Sequence, residues 1–179
     1  RVPVIAAPMF LVSGPELVIA CCTSGVAGTF PSLNARPASE LEVWLSRIEE
    51  ALAAFQREHP DRPCGPYGVN LIVHHTNSRL QEDLACIVAH RVPFVITSLG
   101  NPKDIVEAVH GYGGLVFHDV IRARHARKAI EAGVDGIIAV CAGAGGHAGT
   151  QSPFSLVREI REFWEGTLIL AGAISDGYG

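Results

Sequence analysis

The sequence has little methionine, few aromatic residues and no long apolar run. Met9 is the only methionine among 179 residues, and aromatic residues make up 7% of the chain. No apolar run reaches the ~18 residues that a membrane-spanning helix needs, so we predict no membrane contact. The chain does not begin with a charged segment followed by a short apolar one, so we predict no signal peptide. Since the chain starts without methionine and stops just after an apolar run, we expect it to be part of a longer protein.

The cysteines are too irregular for a disulfide framework or a zinc site. The chain has five, with no CxxC pair, at positions 21, 22, 64, 86 and 141. An odd number at irregular spacing favours reduced thiols, and we expect a cytoplasmic protein. His74 and His75 follow a predicted strand, but no third ligand stands at a suitable spacing, so no metal is predicted.

Positive charge is also scarce, and it is scattered. The chain has 14 Lys and Arg against 18 Asp and Glu, for a formal net charge of −4. The basic residues form no track, so we predict no nucleic-acid partner. With 48% hydrophobic and 18% charged residues, the composition suits a single compact domain over residues 1–179 with a sizeable core.

Apolar runs alternate with helical patterns along the whole chain. Seven nearly all-apolar runs are predicted as strands: 2–8, 25–30, 67–73, 92–98, 113–120, 134–140 and 167–173. Strands this apolar are typical of a parallel sheet that is buried on both faces. The pattern fits a (β/α)8 barrel or an open doubly wound sheet. The even spacing of about seven βα units favours an α/β TIM barrel, incomplete because strand eight and the C-terminal part are absent.

Capping residues predict where several helices begin and end. Ser39 and Glu42 have the spacing of a capping box at the start of a long amphipathic helix. Ser152 is expected to cap a later helix. Gly25 and Gly133 are expected to end two others, because glycine readily adopts the left-handed conformation that closes a helix.

Small residues dominate the predicted strand ends, which is where barrel enzymes carry out their chemistry. Small side chains let a large flat ligand approach the backbone, and this indicates a cofactor. The turn in "LAGAIS" either presents backbone N–H groups to a phosphate or is simply a tight turn. His118 and Asp119 end the fifth strand, where they line the pocket or take a buried or rim position. Ser98, which ends the fourth strand, is a candidate substrate contact.

The stretch "CAGAGGHAGTQSP" places His147 among glycines and alanines. Its glycines miss the spacing of the G-x-G-x-x-G fingerprint, and no acidic residue follows in the ribose-binding position, so a dinucleotide fold is rejected. A histidine in such a run has no helix face or core to occupy. Because histidine exchanges protons near neutral pH, we predict a functional role for His147.

Four segments together resemble one enzyme family. The segments "AAPMF", "YGVN", "AGVDGIIAVCAGAGGHAG" and "LAGAIS" stand in the order found in the nitronate monooxygenases and span nearly the whole chain. Among them, "AGGH-x-G" is the most specific. The resemblance implies an FMN-dependent (β/α)8 flavoprotein, an oxidoreductase that oxidises alkyl nitronates with O2. Its expected small-molecule substrate is a nitronate or a nitroalkane.

The resemblance also assigns roles to residues. His147 would be the catalytic base facing the flavin, and Asn70 would hydrogen-bond FMN. The strand-one turn would lie against the flavin ring, two glycines beside the isoalloxazine, and the strand-seven turn at the phosphate. These further cofactor contacts are Ala7, Pro8, Met9, Gly145, Gly146, Gly172 and Ala173, and His118 is placed in the same pocket.

Four positions depart from the family pattern. Val140 stands in place of a glutamine, Gly143 of an acidic residue, Asp119 of a lysine and Ala173 of a glycine. The strand-eight phosphate segment is absent, so we expect incomplete FMN binding by this chain. Two other functions stay open: an FMN- and NAD(P)H-dependent enoyl-thioester reductase, which shares the GGH element, and a non-catalytic flavin-binding barrel. The assembly state is open too, with a homodimer as one option.

Overall fold

The structure, a computed structural model, describes residues 3–174 and 176. Within these residues, seven short strands alternate with helices. The strands are β1 (Ile5–Ala6), β2 (Ala27–Pro31), β3 (Tyr67–Ile72), β4 (Phe94–Ser98), β5 (Leu115–Val120), β6 (Gly136–Val140) and β7 (Thr167–Ala171). The helices are α1 (Pro15–Thr23), α2 (Glu40–Glu58), α3 (Leu80–Ala89), α4 (Lys103–His110), α5 (Ala123–Glu131) and α6 (Pro153–Arg161), with a 3-10 turn at Ser32–Asn34.

The strands form one parallel sheet in the order β1 to β7, so each strand pairs with its neighbours in sequence. The sheet curls into a half-barrel, which confirms the predicted incomplete TIM-barrel fold. Within the described residues, β1 and β7 are the edge strands. Because the strands are parallel, their carboxyl ends and the loops that follow all lie at one rim of the sheet.

The two faces of the sheet bury different clusters. The larger cluster lies between the sheet and the helices and includes Leu45, Ile48, Val95, Ile137 and Leu156. The smaller cluster lines the inside of the half-barrel and consists of Phe94, Ile96 and Ile138, with Ile5, Ala27, Phe117, Val140, Ile169 and Ala171 packed against them. Because both faces are covered, the strands are nearly continuous apolar runs rather than alternating ones.

The first strand is shorter than predicted. It covers Ile5–Ala6, where the sequence pattern predicts a strand over 2–8. Pro3 and Pro8 flank it, and neither has a backbone N–H to donate to a ladder. Residues 1 and 2 lie outside the described residues.

The helix ends are mostly as predicted. The Ser152 hydroxyl accepts a hydrogen bond from Ser155 N at the start of α6. Gly25 and Gly133 follow α1 and α5 with φ of +84° and +89°, as helix-ending glycines do. The capping box at the start of α2 is wrong, because the Ser39 side chain makes no capping hydrogen bond and its backbone is already helical.

All five cysteines are free thiols, and Cys22 and Cys141 are buried. The Cys141 thiol donates to Ala139 O at 3.5 Å, so it is a packed core group. Within the described part of the chain, none of the helices has the length and apolar character needed to cross a bilayer.

Candidate functional site

A chain of three polar side chains crosses the inner face of the half-barrel at the ends of β3, β4 and β5. Asn70 Nδ2 donates to Ser98 Oγ at 2.7 Å, and Ser98 Oγ donates to Asp119 Oδ2 at 2.5 Å. Side chains alternate between the faces of a strand. The register pairs Asn70 with Ile96, which belongs to the inner cluster, and so places the three polar groups inside the barrel.

The contacts of Asn70 fix the orientation of its amide. Besides Ser98, Asn70 Nδ2 donates to the Ile96 carbonyl at 3.1 Å. A carbonyl can only accept, so the NH2 group must face it. Both amide hydrogens are thereby used, and Asn70 Oδ1 accepts no hydrogen bond from residues 3–174. The buried Asn70 side chain therefore offers one acceptor to a ligand in the barrel.

Asp119 is a proton-exchanging group in the same network. Burial raises its pKa from 3.8 to about 6, while the hydrogen bond from Ser98 opposes the rise. Near neutral pH such a carboxyl can accept or hold a proton. The sequence places Asp119 at a strand end, but its link to Ser98 and Asn70 becomes visible only in the register of the sheet.

His118 lies on the opposite face of β5. The Thr97 hydroxyl lies 2.8 Å from His118 Nδ1 and 3.2 Å from the carbonyl oxygen of Phe117, and it hydrogen-bonds both. Burial, with a smaller contribution from nearby His125 on α5, lowers the pKa of His118 to about 4, so the imidazole is neutral at pH 7. The structure therefore does not bring His118 to Asn70 and Asp119. In the sequence, Val116, His118 and Val120 are spaced two residues apart and so share one face of β5. This spacing is the signal that separates His118 from the pocket.

The glycine-rich loop after β6 is held at both ends and open at its tip. Backbone hydrogen bonds join Cys141 N to Ala171 O at 2.9 Å and Gly149 N to Val140 O at 3.2 Å. The tip carries Gly145, Gly146 and His147, all exposed.

Nothing in the described chain explains the two tip glycines. A Cβ added at Gly145 or at Gly146 would meet no atom within 4 Å. Their lack of a side chain therefore fits a ligand that passes close to the backbone. His147 makes no hydrogen bond with the described residues, so its imidazole is available to a substrate.

The turn after β7 contacts the base of this loop. Ala173 N donates to Gly143 O at 3.2 Å, whereas the N–H of Gly172, the other member of the predicted phosphate-binding pair, makes no hydrogen bond with the described residues. Gly172 has φ of +127° and Gly143 has φ of +95°, conformations that favour glycine. A Cβ at Gly143 would come within 2.9 Å of Ala173 Cβ.

The loop after β1 adds an apolar surface at the same rim. Ala7, Pro8 and Met9 follow the strand, and the exposed side chains after them are Phe10, Leu11 and Val12. Asn34 holds this loop in place, since Asn34 Nδ2 donates to Met9 O at 3.0 Å and to Ser13 O at 2.8 Å. A contiguous apolar patch of this kind is typical of a binding surface.

A match to a family model shows which protein family the chain belongs to. A family model described as nitronate monooxygenase matches residues 52–179. The chain belongs to the nitronate monooxygenase family. The match includes Asn70, the glycine-rich loop and the turn after β7, so the resemblance predicted from the sequence motifs is confirmed.

Individual proteins and solved structures are also similar to this chain. A nitronate monooxygenase of Neurospora crassa is 31% identical over 206 residues, which cover 98% of this chain and 54% of that protein. A (3aS,4S,5R,7aS)-5-hydroxy-7a-methyl-1-oxo-octahydro-1H-indene-4-carboxyl-CoA dehydrogenase of Rhodococcus jostii is 24% identical over 177 residues, covering 99% of this chain and 46% of that protein. The structure of FabK from Thermotoga maritima superposes with a TM-score of 0.82 at 26% identity over 98% of this chain and 52% of that chain. The chain spans about half the length of these relatives.

Two of the departures from the nitronate monooxygenase pattern are in contact with each other. Ala173 stands where the family has glycine, and Gly143 stands where it has an acidic residue. Because a side chain at position 143 would press against Ala173 Cβ, the first departure favours the second. We therefore interpret the pair as one local rearrangement.

FMN is the cofactor that nitronate monooxygenases imply, and the described residues fit it. Asn70 offers an unused acceptor to a ring N–H group. The loop at Gly145 and Gly146 leaves room for a flat ring, and Gly172 has a backbone N–H for a phosphate oxygen. These features lie on the carboxyl ends of β3, β6 and β7, at one rim of the half-barrel.

Proposed function

We propose that this chain is the flavin-binding part of an enzyme that oxidises alkyl nitronates with O2. The observation that carries the proposal is the free acceptor of Asn70 inside a half-barrel whose rim also bears an open glycine loop with His147. Family membership supports the proposal. We further propose that residues 1–179 belong to one FMN-binding barrel domain.

The residues that would hold FMN have distinct tasks. Asn70 Oδ1 would accept a hydrogen bond from the ring, and the network through Ser98 to Asp119 would keep the amide from rotating. Gly145 and Gly146 would let the ring approach the backbone, and the apolar loop at Met9 would cover it. The transfer of electrons from nitronate to O2 is the chemistry that bound FMN supplies.

His147 would handle the proton. A neutral nitroalkane must lose the proton of the carbon next to its nitro group to become a nitronate, and an imidazole nitrogen can accept that proton. When the nitronate anion itself is the substrate, the same side chain would orient it. The exposed position of His147 at the loop tip is compatible with both tasks.

Replacing His147 tests the assignment in the full-length protein. We expect His147→Ala to keep its flavin absorbance and to lose turnover of a neutral nitroalkane by at least ~100-fold. His59→Ala is the matched control, because His59 is also exposed but caps the end of α2. Full turnover by a flavin-loaded His147→Ala protein would overturn the proposal for His147.

A second candidate is an FMN- and NAD(P)H-dependent enoyl-thioester reductase. The observation that favours it is a shallow cavity of about 440 Å³ beside the glycine loop, lined in part by Arg122, Arg124, Thr150 and Gln151. Guanidinium groups suit the phosphates of a CoA-type carrier, and one relative is named for a carboxyl-CoA compound.

Substrate assays separate the two candidates. The second one predicts that NADH is consumed with an enoyl thioester, and that Arg122→Ala with Arg124→Ala raises KM for the thioester but not for a nitronate. Nitronate oxidation without NADH, together with no reaction of the thioester, favours the first candidate.

A further inference from the structure

Outside the barrel, a cluster of ligand-type side chains joins α2 to α3. Glu42 Oε2 lies 3.0 Å from His90 Nε2 and 3.5 Å from Cys86 Sγ. The three ligand atoms all lie within 4.8 Å of one another. Cys86 and His90 are four residues apart, so they share one face of α3. The cluster does not include any of the strand-end residues, and the proposed function does not use it.

Two of the spacings between these atoms are close to those around a tetrahedral metal ion. With Zn–S bonds of about 2.3 Å and Zn–N or Zn–O bonds of about 2.1 Å, ligand atoms around zinc lie about 3.3–3.6 Å apart. The observed contacts of 3.0 and 3.5 Å are close to those edges, so small side-chain rotations suffice to admit an ion.

A carboxylate and a buried tyrosine orient the histidine, as such partners do in zinc sites. His90 Nδ1 lies 3.1 Å from Glu49 Oε1, and the same carboxylate oxygen accepts a hydrogen bond of 2.6 Å from the Tyr67 hydroxyl. A carboxylate on one ring nitrogen fixes the other nitrogen toward the metal in carboxylate–histidine–zinc arrangements. The Glu49–Tyr67 pair therefore aims His90 Nε2 at the space shared with Cys86 and Glu42.

We propose that Cys86 Sγ, His90 Nε2 and the Glu42 carboxylate bind one divalent ion of the zinc class. A thiolate, an imidazole and a carboxylate make a donor set typical of zinc rather than of magnesium or calcium. On binding, the S–H bond of Cys86 and the N–H bond of His90 Nε2 are broken, metal–sulfur and metal–nitrogen bonds form in their place, and both protons leave to solvent. The Glu42 side chain is 63% exposed, so water completes the fourth position.

A Co2+ titration of the full-length protein, first stripped of metal with a chelator, tests the site. We expect one equivalent to bind with a thiolate-to-cobalt absorption band in the near ultraviolet, and Zn2+ to displace it. Cys86→Ser should abolish the band. Cys64→Ser is the matched control, because Cys64 is another partly buried thiol that is not in the cluster, and it should keep the band.

A further variant and a measurement on the wild-type protein keep the test decisive. Glu49→Gln should weaken Co2+ binding about 10- to 100-fold while keeping the band, since it alters a partner of the histidine and none of the three ligands. X-ray absorption of the zinc-loaded wild-type protein should show one sulfur ligand per zinc. Absence of a sulfur ligand, or a cobalt band that survives Cys86→Ser, would overturn the proposal and leave the cluster as hydrogen bonds between helices.

Discussion

Asp119→Asn should stabilise the protein, and more so at pH 8 than at pH 5. Burial raises the pKa of the Asp119 carboxyl from 3.8 to about 6, so folding favours its protonated form. Its contribution to stability is fully present below pH 3.8 and is lost as the pH rises through 6. An asparagine cannot ionise, yet its carbonyl oxygen can still accept the hydrogen bond from Ser98.

The size of the effect follows from the two pKa values. By linkage, ionisation of Asp119 in the unfolded chain costs the wild-type protein roughly 2 kcal/mol of folding free energy at pH 5 and roughly 3 kcal/mol at pH 8. The advantage of the variant should therefore grow by about 1 kcal/mol between these pH values.

Urea unfolding of both proteins at pH 5 and pH 8 measures this difference. Asp61→Asn controls for the loss of a negative charge, because Asp61 is exposed. An advantage of Asp119→Asn that is equal at the two pH values, or larger at pH 5, would refute the argument that burial raises the pKa of Asp119.

Three further changes test the packing and the site. Leu156→Ala should lower the free energy of unfolding, measured in urea, by about 2–5 kcal/mol because Leu156 is fully buried. Phe154→Ala on the same helix should change it by less than about 0.5 kcal/mol, since Phe154 is 89% exposed. Equal losses would contradict the assignment of Leu156 to the core. Gly143→Glu should lower Tm, and adding Ala173→Gly should restore part of the loss; additive effects would show that the two positions are not coupled. His118→Gln should lower Tm but leave the Kd for FMN within about twofold, because the side chain faces the helices; a large rise in Kd would return His118 to the cofactor pocket.

Much of the fold follows from the sequence because its strands are apolar and evenly spaced. Parallel pairing of neighbours then leaves few alternatives. The predicted length of β1 is wrong because it rests on apolar character alone. Pro3 and Pro8 are apolar, but they have no N–H to donate to a neighbouring strand. The prediction of a capping box at Ser39 is wrong for a different reason, since the Glu42 side chain bonds His90 and does not turn back to the start of its own helix.

The sequence points to candidate site residues where the residue type itself suggests a chemical role. Asn70, the glycine loop and His147 stand out because small or polar residues follow apolar strands. The side on which His118 and Asp119 lie depends on strand register, which a one-residue shift reverses. Cys86 and Glu42 are 44 positions apart, so no motif spacing reveals that α2 and α3 bring them together.

Anaerobic spectroscopy tests most directly the proposal that the half-barrel belongs to a flavin enzyme acting on nitronates. The purified full-length protein should show flavin absorbance bands in the visible region. Mixing it with an alkyl nitronate without O2 or NAD(P)H should bleach those bands, and admitting O2 should restore them. A colourless protein, or flavin bands that a nitronate leaves unchanged, would contradict the account.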